Sequence, residues 1–524
     1  MSLLDWSIVA CSIACLIGLS LFIGRRQKNQ DEYYLGSRRM PWWLVGFSLM
    51  ANQASSVSLI GAPAFIALRQ GGGLSWLQYE LAVPLAMACI AVVLLPSFKR
   101  ESGYTIYSYL ERRFGASVRR SVSAIFLLNR CFGSGVILLA TSYVVSQILG
   151  LETRITIVIV GATALAYTTI GGLRADIYTD VIQLVILWGS MAACAIVIVT
   201  HLDASVAWPA AESSRFTVFR ITETGLGDGQ TFALWPMVFG GFFLYVSYYG
   251  CDQSQAQRLL ATSDIRASRA ALVLNGVFRF PLVLTYCVVG VLMVPFLDQH
   301  TAFATRVSKL PPDLLMPSFF VSFLPQGLLG FVVTGLLMAS MSSLDSAMNS
   351  LSAATWEDFL APFVPRFKRL ADRQRVILAR GITIAWGCAA IVFAIAVEGQ
   401  SETVIELINR IGSAFYGPVA GTFIAGVCLR RAKSFGVLVG ITAGVGANIG
   451  LWLFCDTVSW MWWNLIGCGI VIVVAALSGR GKVEKETGSC AMAFDREAMP
   501  TAAWLVVWFL IVCALCAVIQ FSFA

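Results

Sequence analysis

Long apolar runs separated by short polar segments make up most of this 524-residue chain. About 20 consecutive apolar residues in helical form cross a hydrocarbon core of roughly 30 Å, so each run predicts a membrane-spanning helix. We count about fourteen runs: 4–24, 42–69, 75–97, 118–150, 154–170, 176–201, 232–258, 267–297, 327–353, 377–398, 404–428, 434–455, 458–478 and 501–522. The pattern predicts an all-α, polytopic membrane protein with a single transmembrane domain over 1–524.

The distribution of charge predicts how the chain lies in its membrane. Hydrophobic residues make up 58% of the sequence and charged residues 13%, and the net charge is +8. Alternate loops hold 28 Lys and Arg residues on one side and 6 on the other. The richer loops are 25–41, 98–120, 171–175, 258–270, 354–380, 429–433 and 479–500. By the positive-inside rule these loops face the cytoplasm and both termini lie outside, in a plasma or bacterial inner membrane. The net charge therefore requires no nucleic-acid partner.

The sequence contains no pattern typical of an enzyme or of a bound organic cofactor. Nearly all of the 14 cysteines lie within apolar runs, where they act as small hydrophobic residues. The two histidines, His201 and His300, are not at ligand spacing, so we expect no haem or zinc centre. The longest loops, near 202–231 and 298–326, carry no catalytic cluster, and the nucleotide-binding motif G-x-x-x-x-G-K-[ST] is absent.

Two apolar runs are interrupted by polar residues at matching places. The interruptions are A-N-Q-A-S-S-V-S at 51–58 and S-Y-Y-G-C-D-Q-S-Q-A-Q at 247–257. Five spans separate them, and because five is odd the two halves run in opposite directions through the membrane. Broken helices at membrane depth line solute cavities in transporters. The predicted division is an extra helix at 4–24, five-helix repeats at 42–201 and 232–428, and three final helices at 434–522.

A hydroxyl-rich stretch, A-S-M-S-S-L-D-S-A-M-N-S at 339–350, ends a strongly apolar run. Helical spacing places its residues on one face within about 100°: Ala339, Ser342, Ser343, Ser346 and Ser350. One interpretation is close helix packing, with hydroxyls bonded to carbonyls one turn back. The other is a cation site, because dehydrated monovalent ions take oxygen ligands. Asp345 beside this face favours the second interpretation, since ionisable residues inside membranes are costly.

Six motifs in order resemble the sodium/solute symporter family, solute carrier family five. They are P-W-W-L-V-G-F-S-L at 41–49, Y-E at 79–80, G-G-L-R-A-D-I-Y-T-D-V-I-Q at 171–183, D-Q-S-Q-A-Q-R at 252–258, S-S-L-D-S-A-M-N-S at 342–350 and G-S-A-F-Y-G-P at 412–418. The resemblance covers about 31–433. It implies a leucine-transporter-type core of five plus five inverted helices.

The resemblance also implies a sodium site between the first broken helix and the hydroxyl-rich helix. Its ligands are backbone oxygens of the broken helix and oxygens of the hydroxyl-rich helix, at Ala51, Ala54, Ala339, Ser342 and Ser343. Ala54 replaces a larger aliphatic residue of relatives, a change that ligation by a carbonyl tolerates.

A second cation site exists in some relatives, and its counterparts here are Asp180, Ser342, Asp345 and Ser346. Asp345 stands where those relatives have a hydroxyl. Two nearby carboxylates require either a second sodium ion or a bound proton. The alternative is that Asp180 begins a helix and pairs with Arg174.

The resemblance further supplies candidate solute-binding residues: Asn52, Gln53, Ser58, Glu80, Tyr248, Arg279, Asn409 and Arg410. Glu80 matches a glutamate of sugar-binding relatives, but Arg279 replaces their lysine, so an acidic or strongly polar solute group is favoured over a sugar. The alternative is a purely structural pair between Arg279 and Glu80. Tyr248 matches a tyrosine that gates the sugar.

The predicted function is sodium-coupled secondary active uptake of a small polar organic solute, such as a sugar or carboxylate, by alternating access. Its partners are sodium ions, the solute and the lipid bilayer. Two alternatives remain open at this point: a proton-coupled symporter of the same fold, and a solute sensor on a transporter scaffold.

Overall fold

A computed structural model describes residues 1–25, 29–69, 71–99, 103–203, 215–399, 404–455, 457–479 and 496–523. These residues form helices and connecting loops, with two isolated β-bridges, Met40 to Thr262 and Leu226 to Val458. The helices are α1 (Leu3–Gly24), α2 (Gln30–Leu35), α3 (Trp42–Gln53), α4 (Ser56–Leu68), α5 (Gly73–Phe98), α6 (Ser108–Phe114), α7 (Ala116–Leu149), α8 (Thr153–Thr200), α9 (Gly241–Gly250), α10 (Gln253–Leu260), α11 (Ile265–Gln299), α12 (Thr301–Val307), α13 (Leu315–Phe323), α14 (Leu328–Ala354), α15 (Asp372–Ala396), α16 (Val404–Cys428), α17 (Ser434–Phe454), α18 (Trp460–Ser478) and α19 (Met499–Phe523).

The membrane spans follow the predicted runs. Among the described residues, eleven helices are long and apolar enough to cross a membrane, and the bent pair α3 and α4 makes a twelfth span. The predicted fifth span corresponds to the shorter apolar helix Thr153–Ala166, which is separated from the rest of α8 at Gly172, where φ is 60°. The predicted seventh span corresponds to α9 and α10.

The first predicted interruption is a true break in the helix. α3 and α4 are bent by 56° at Ala54 and Ser55, whose ψ angles of 80° and 174° leave the helical region. Backbone carbonyls just before such a break lack the N–H group that would bond to them four residues later. Their oxygens can therefore bind other groups or an ion.

The second predicted interruption lies between α9 and α10. Cys251 and Asp252 leave the helical conformation, and the Asp252 carboxylate caps α10 by accepting a hydrogen bond from the Ser254 N–H at 2.8 Å. α10 is polar for its depth in the fold, and all eight of its residues are buried. Both breaks therefore lie inside the protein, as non-helical backbone in a membrane requires.

The hydroxyl-rich helix lies at the centre of the bundle. In the most apolar part of the Leu328–Phe363 span 83% of residues are buried, against 17% in α19, which lies at the periphery. α14 packs against α8, α7, α3 and α10. The extra helix α1 fixes its beginning, because the Asp5 carboxylate accepts hydrogen bonds from the N–H groups of Gly327 (2.7 Å) and Gly330 (2.9 Å). α14 thus has a defined register against both breaks.

Candidate functional site

The predicted sodium site combines the first break with one face of α14. Ala51, Ala54, Ala339, Ser342 and Ser343 are all buried, with at most 2% of each exposed. The Ser343 hydroxyl donates to the backbone carbonyl of Asn52 at 3.1 Å, so α14 touches the break between the two alanines. A dehydrated sodium ion is coordinated by oxygen atoms. The break leaves backbone carbonyls without helical partners, and α14 places hydroxyl oxygens beside them.

The hydroxyls of α14 show which of the two interpretations applies to each residue. Ser346 and Ser350 donate to carbonyls one turn back, at 2.7 and 2.8 Å, as the packing interpretation predicts, and the Ser346 hydroxyl also lies 3.2 Å from Asp176 Oδ2. Ser342 and Ser343 instead donate away from their own helix, to the Asp180 carboxylate and to Asn52. The cation-site interpretation therefore fits Ser342 and Ser343 better than it fits the next turn.

Asp180 lies in a buried ionic cluster that also contains Arg258. Nη2 of Arg258 donates to Asp180 Oδ2 at 3.0 Å and to Asp176 Oδ2 at 2.7 Å, and it also contacts the Ser346 hydroxyl. Ser48 donates to Asp180 Oδ2 at 2.5 Å. The alternative pairing of Asp180 with Arg174 is wrong: Arg174 is exposed, and the partners of Asp180 are deep in the bundle.

We refer to Asp176, Asp180, Asp345 and Arg258 as the carboxylate cluster. Side-chain hydrogen bonding links Asp176 to Asp345. Among the described residues, the cluster thus contains three carboxyl groups and one guanidinium. Buried charges need compensation, and Asp176 and Asp180 share the single positive charge of Arg258, so one carboxyl group of this pair can take a further cation or a proton.

Two members of this cluster, Arg258 and Asp176, were not predicted from the sequence. Arg258 was counted among the basic residues of a cytoplasmic loop, yet its side chain is fully buried and bonded to carboxylates. Asp176 was overlooked although it lies one helical turn before Asp180. The usable signal was this spacing, since residues four apart share a helix face.

A central cavity of about 110 Å³ lies between the first break and α9, the helix that precedes the second break. One water needs roughly 10–15 Å³, so this space holds about eight waters or one small organic molecule. The polar side chains around it are Asn52, Gln53, Ser55, Ser58, Asn129, Arg130, Ser134, Arg279 and Asn409, and the aromatic ones are Trp76, Tyr79, Tyr248 and Tyr416. A concave site in which aromatic side chains alternate with hydrogen-bonding groups can bind and orient a small polar molecule.

Arg130 of α7 is a cavity residue to which the sequence analysis gave no role. Its Nη2 donates to neutral groups, the Ser254 hydroxyl at 2.5 Å and Asn52 Oδ1 at 3.5 Å. Its Nε is buried without a hydrogen-bond partner in the described structure, and the Tyr248 ring lies 5.6 Å from the guanidinium carbon. A guanidinium bonded to neutral oxygens retains the capacity to bind a carboxylate.

Arg279 has the structural partner that the sequence left as an alternative. Its Nε and Nη2 donate to the two Glu80 carboxylate oxygens at 3.1 and 3.4 Å, and Tyr245 donates to Glu80 at 3.2 Å. In the described part of the chain Glu80 does not line the cavity, whereas Arg279 does, with Nη1 buried and unpartnered. Glu80 therefore holds Arg279 in the wall and is not placed to orient a solute.

Of the other candidate solute residues, five line the cavity and one does not. Asn52, Gln53, Ser58, Tyr248 and Asn409 all line the cavity. Arg410 is not among the lining residues described, because its guanidinium lies over the Trp452 ring at 6.0 Å. The expectation that Arg410 contacts a solute is therefore not supported by its position.

Residues 33–444 match the family model described as the Sodium:solute symporter family. The chain belongs to this family. The match includes both breaks, the central cavity and the carboxylate cluster, and it confirms the resemblance seen in the motifs. The fold and the relatives are those of transporters and not of enzymes, so the chain is a sodium-coupled transporter of a small solute.

Characterised relatives span most of the chain. The sodium/sialic acid symporter NanT of Aliivibrio fischeri is 23% identical over 475 residues, which cover 89% of this chain and 91% of the relative. Human sodium-coupled monocarboxylate transporter 1 is 28% identical over 447 residues, which cover 84% and 71%.

Solved structures confirm the fold. A sodium-coupled sialic acid symporter in a substrate-bound, outward-open state superposes with a TM-score of 0.80 at 21% identity, covering 91% of this chain and 98% of that one. The nucleobase-cation-symport-1 transporter Mhp1, in a closed conformation, gives a TM-score of 0.56 at 12% identity, covering 91% and 99%. The predicted leucine-transporter-type, all-helical fold is correct.

Proposed function

We propose that this symporter imports a small organic anion whose carboxylate binds Arg130. The observation that carries the proposal is the Arg130 guanidinium, which is 92% buried at the cavity and hydrogen-bonded to neutral groups. Among the described hydrogen bonds, Arg130 reaches the Asp252 carboxylate through the Ser254 hydroxyl, so a solute carboxylate would give the guanidinium a direct charged partner. Relatives named for sialic acid and for monocarboxylates support this solute class.

The coupling ion occupies the first break in this proposal. Carbonyls of Ala51 and Ala54 and oxygens of Ala339, Ser342 and Ser343 form the sodium site. The contact between Ser343 and the Asn52 carbonyl supports this assignment. The Asn52 carbonyl lies at the proposed sodium site, and Asn52 also lines the cavity. In this proposal the sodium ion and the solute therefore bind at the same turn of the chain.

A second cation binds at the carboxylate cluster. Asp180, Ser342, Asp345 and Ser346 remain the proposed ligands, and Asp176 joins them. Arg258 already neutralises part of the charge, and the remaining carboxyl groups supply the attraction for an ion.

The remaining cavity residues set the size and polarity of the solute. Asn52, Gln53, Ser58 and Asn409 offer amide and hydroxyl groups for its polar atoms, and Tyr248 forms a wall beside Arg130. Arg279 adds a second positive charge that Glu80 largely neutralises. The cavity volume of about 110 Å³ favours an acid of a few carbon atoms.

We further propose that both termini lie outside the cytoplasm, in a plasma or bacterial inner membrane, as the loop charges indicate. The inverted repeats are 42–201 and 232–428, with 4–24 before them and 434–522 after them. The Asp252 and Ala54 breaks then face each other at mid-membrane, where inverted-repeat transporters bind their solutes.

Purified protein in liposomes tests the proposed solute. Uptake of labelled pyruvate, driven by an inward sodium gradient, should be inhibited by lactate more strongly than by glucose. Arg130→Gln should lower pyruvate uptake at least tenfold, because a charged hydrogen bond contributes about 1.5–3 kcal/mol.

Arg120→Gln is the matched control. Arg120 lies on the same helix, and its Nε bonds to the Ala116 carbonyl, away from the cavity. Its uptake should equal that of the wild type. Equal inhibition by glucose and by carboxylates, or normal pyruvate uptake in Arg130→Gln, would rule out the carboxylate assignment.

A further inference from the structure

Ser254, in the first turn of α10, bonds to two buried arginines that belong to different sites. Its hydroxyl accepts a hydrogen bond from Arg130 Nη2 at 2.5 Å, at the central cavity. Its backbone carbonyl accepts one from Arg258 Nη1 at 2.6 Å, in the carboxylate cluster. The residue is fully buried. One residue thus joins the proposed solute-binding cation to the cation that neutralises Asp176 and Asp180.

The hydroxyl of Ser254 is held in a single orientation. It donates to Asp252 Oδ1 at 2.5 Å while it accepts from Arg130. Its one proton and one of its lone pairs are therefore committed to fixed partners. Asp252 caps α10 directly after the second break, so the position of Arg130 depends on the start of this helix.

Two binding events would each change a hydrogen bond of Ser254: solute binding at Arg130 and sodium binding at the carboxylate cluster. A carboxylate binds a guanidinium more strongly than a neutral hydroxyl does, so a solute at Arg130 would displace the Ser254 hydroxyl. A sodium ion among the carboxylates would compete with Arg258 for Asp176 and Asp180, and so loosen the hold of Arg258 on the Ser254 carbonyl. Each event weakens one of the two contacts that hold Ser254, and Ser254 then restrains the other arginine less firmly.

We propose that Ser254 is a positioning residue that couples solute affinity to sodium, by restraining Arg130 until the carboxylate cluster binds its cation. The inference rests on the proposed function, because it requires a carboxylate solute at Arg130. The residue does not bind the solute in this scheme; it acts through Arg130 on one side and Arg258 on the other.

The measurement is equilibrium binding of labelled pyruvate to the purified transporter in nanodiscs, at 1 mM and at 150 mM sodium with choline as the balancing cation. The ratio of the two dissociation constants is the coupling factor. Factors of about 5–150 are typical of coupled sites. Ser254→Ala should bind pyruvate more tightly at 1 mM sodium and should lower the coupling factor at least threefold. Ser254→Thr keeps the hydroxyl and should retain the wild-type factor within twofold.

Ser268→Ala is the matched control. This buried serine donates to the Leu259 carbonyl at 3.0 Å, at the other end of α10, and touches neither arginine. Its coupling factor should equal that of the wild type. Ser254→Cys, with its weak sulfur hydrogen bond, replaces Ser254→Ala if the alanine variant is not recovered folded.

The outcomes separate this inference from the proposed function. If pyruvate binds the wild type with the same affinity at both sodium concentrations, or does not bind at all, both the proposed function and the role of Ser254 are wrong. Wild-type binding that depends on sodium, together with an unchanged coupling factor in Ser254→Ala, overturns the role of Ser254 alone. A lowered factor in the alanine or cysteine variant, with normal factors in Ser254→Thr and Ser268→Ala, supports it.

Discussion

Replacing Arg258 with methionine tests whether this side chain neutralises the carboxylate cluster. Methionine resembles the aliphatic part of the arginine side chain and has no charge, so Arg258→Met would leave Asp176 and Asp180 without their cation. It would also remove hydrogen bonds to Ser48 at 2.7 Å and to the Ser254 carbonyl at 2.6 Å. Because all four groups are buried, water cannot replace the lost partner.

The expected loss of stability follows from the burial of this pair. Removing one partner of a buried ion pair costs about 3–5 kcal/mol. The entropy of unfolding is about 2.1 cal/mol/K per residue, which gives roughly 1.1 kcal/mol/K for 524 residues. The melting temperature should therefore fall by about 3–5 °C in choline chloride. Sodium should restore more of this loss in the variant than it adds to the wild type, because an ion can then occupy the vacated charge.

The assay is tryptophan fluorescence during heating of the detergent-solubilised protein, in sodium and in choline. Arg266→Met is the control, since Arg266 and its partner Glu497 have side chains that are 81% and 67% exposed. Such surface pairs contribute only about 0–1 kcal/mol. Asp176→Asn combined with Arg258→Met should recover part of the stability. If Arg258→Met and Arg266→Met have the same melting temperature, and sodium raises both by the same amount, then Arg258 does not neutralise the carboxylate cluster.

Three further predictions concern other parts of the structure. Ser343→Ala should raise the sodium concentration for half-maximal uptake, because the ion loses an oxygen ligand; an unchanged value contradicts the sodium-site assignment. Glu80→Gln should lower the melting temperature by leaving Arg279 unpaired in the cavity wall, while uptake remains selective for carboxylates; a switch to sugars would show that Glu80 orients the solute. Burial lowers the pKa of Lys99, just beyond α5, to about 8. Since the unfolded chain binds more protons between pH 8 and 10, stability should rise over that range, and Lys99→Gln should flatten the rise.

The fold could be predicted from the sequence because its main signals are local. Apolar length gave the spans, and the polar interruptions gave both breaks, since a broken helix needs polar atoms where the apolar pattern fails. The hydroxyl spacing of α14 identified Ser342 and Ser343, the two hydroxyls that donate away from their own helix. Each of these signals lies within one or two helical turns.

The ionic contacts could not be predicted because they join distant segments. Arg258 lies near the end of the polar helix α10 and was assigned to a loop, because its partners Asp176 and Asp180 belong to the distant helix α8. By the resemblance, Glu80 matched a solute residue of relatives and Arg279 took the place of their lysine, yet the two residues are close enough to pair with each other. Arg130 could be recognised as an ionisable residue inside a span, but its orientation toward the cavity depends on α7, α3 and α10 together. Resemblance to a family indicates which residues occupy equivalent positions in the sequence. The partner of a charged side chain depends on how the helices pack.

The charge balance of transport follows from the same contacts. If the solute is a monocarboxylate, one sodium ion moves with it without net charge, and the membrane potential supplies no driving force. A second sodium makes the step carry one positive charge, for which 100 mV contributes about 2.3 kcal/mol, or roughly fiftyfold accumulation. The second case is favoured by Asp176 and Asp180, two carboxyl groups that share the single charge of Arg258.

Pyruvate uptake into liposomes should therefore accelerate when a potassium diffusion potential makes the interior negative, and its sodium dependence should be sigmoidal at pH 7. Asp345→Ser, which restores the hydroxyl found in relatives, should keep uptake driven by sodium, because Asp176 and Asp180 still leave one carboxyl group beyond the charge of Arg258. A proton at the cluster would instead give uptake that depends on pH between about 5 and 8, and Asp345→Asn would abolish that dependence. A hyperbolic sodium curve together with that pH dependence would show that the surplus charge is balanced by a proton and not by a second sodium ion.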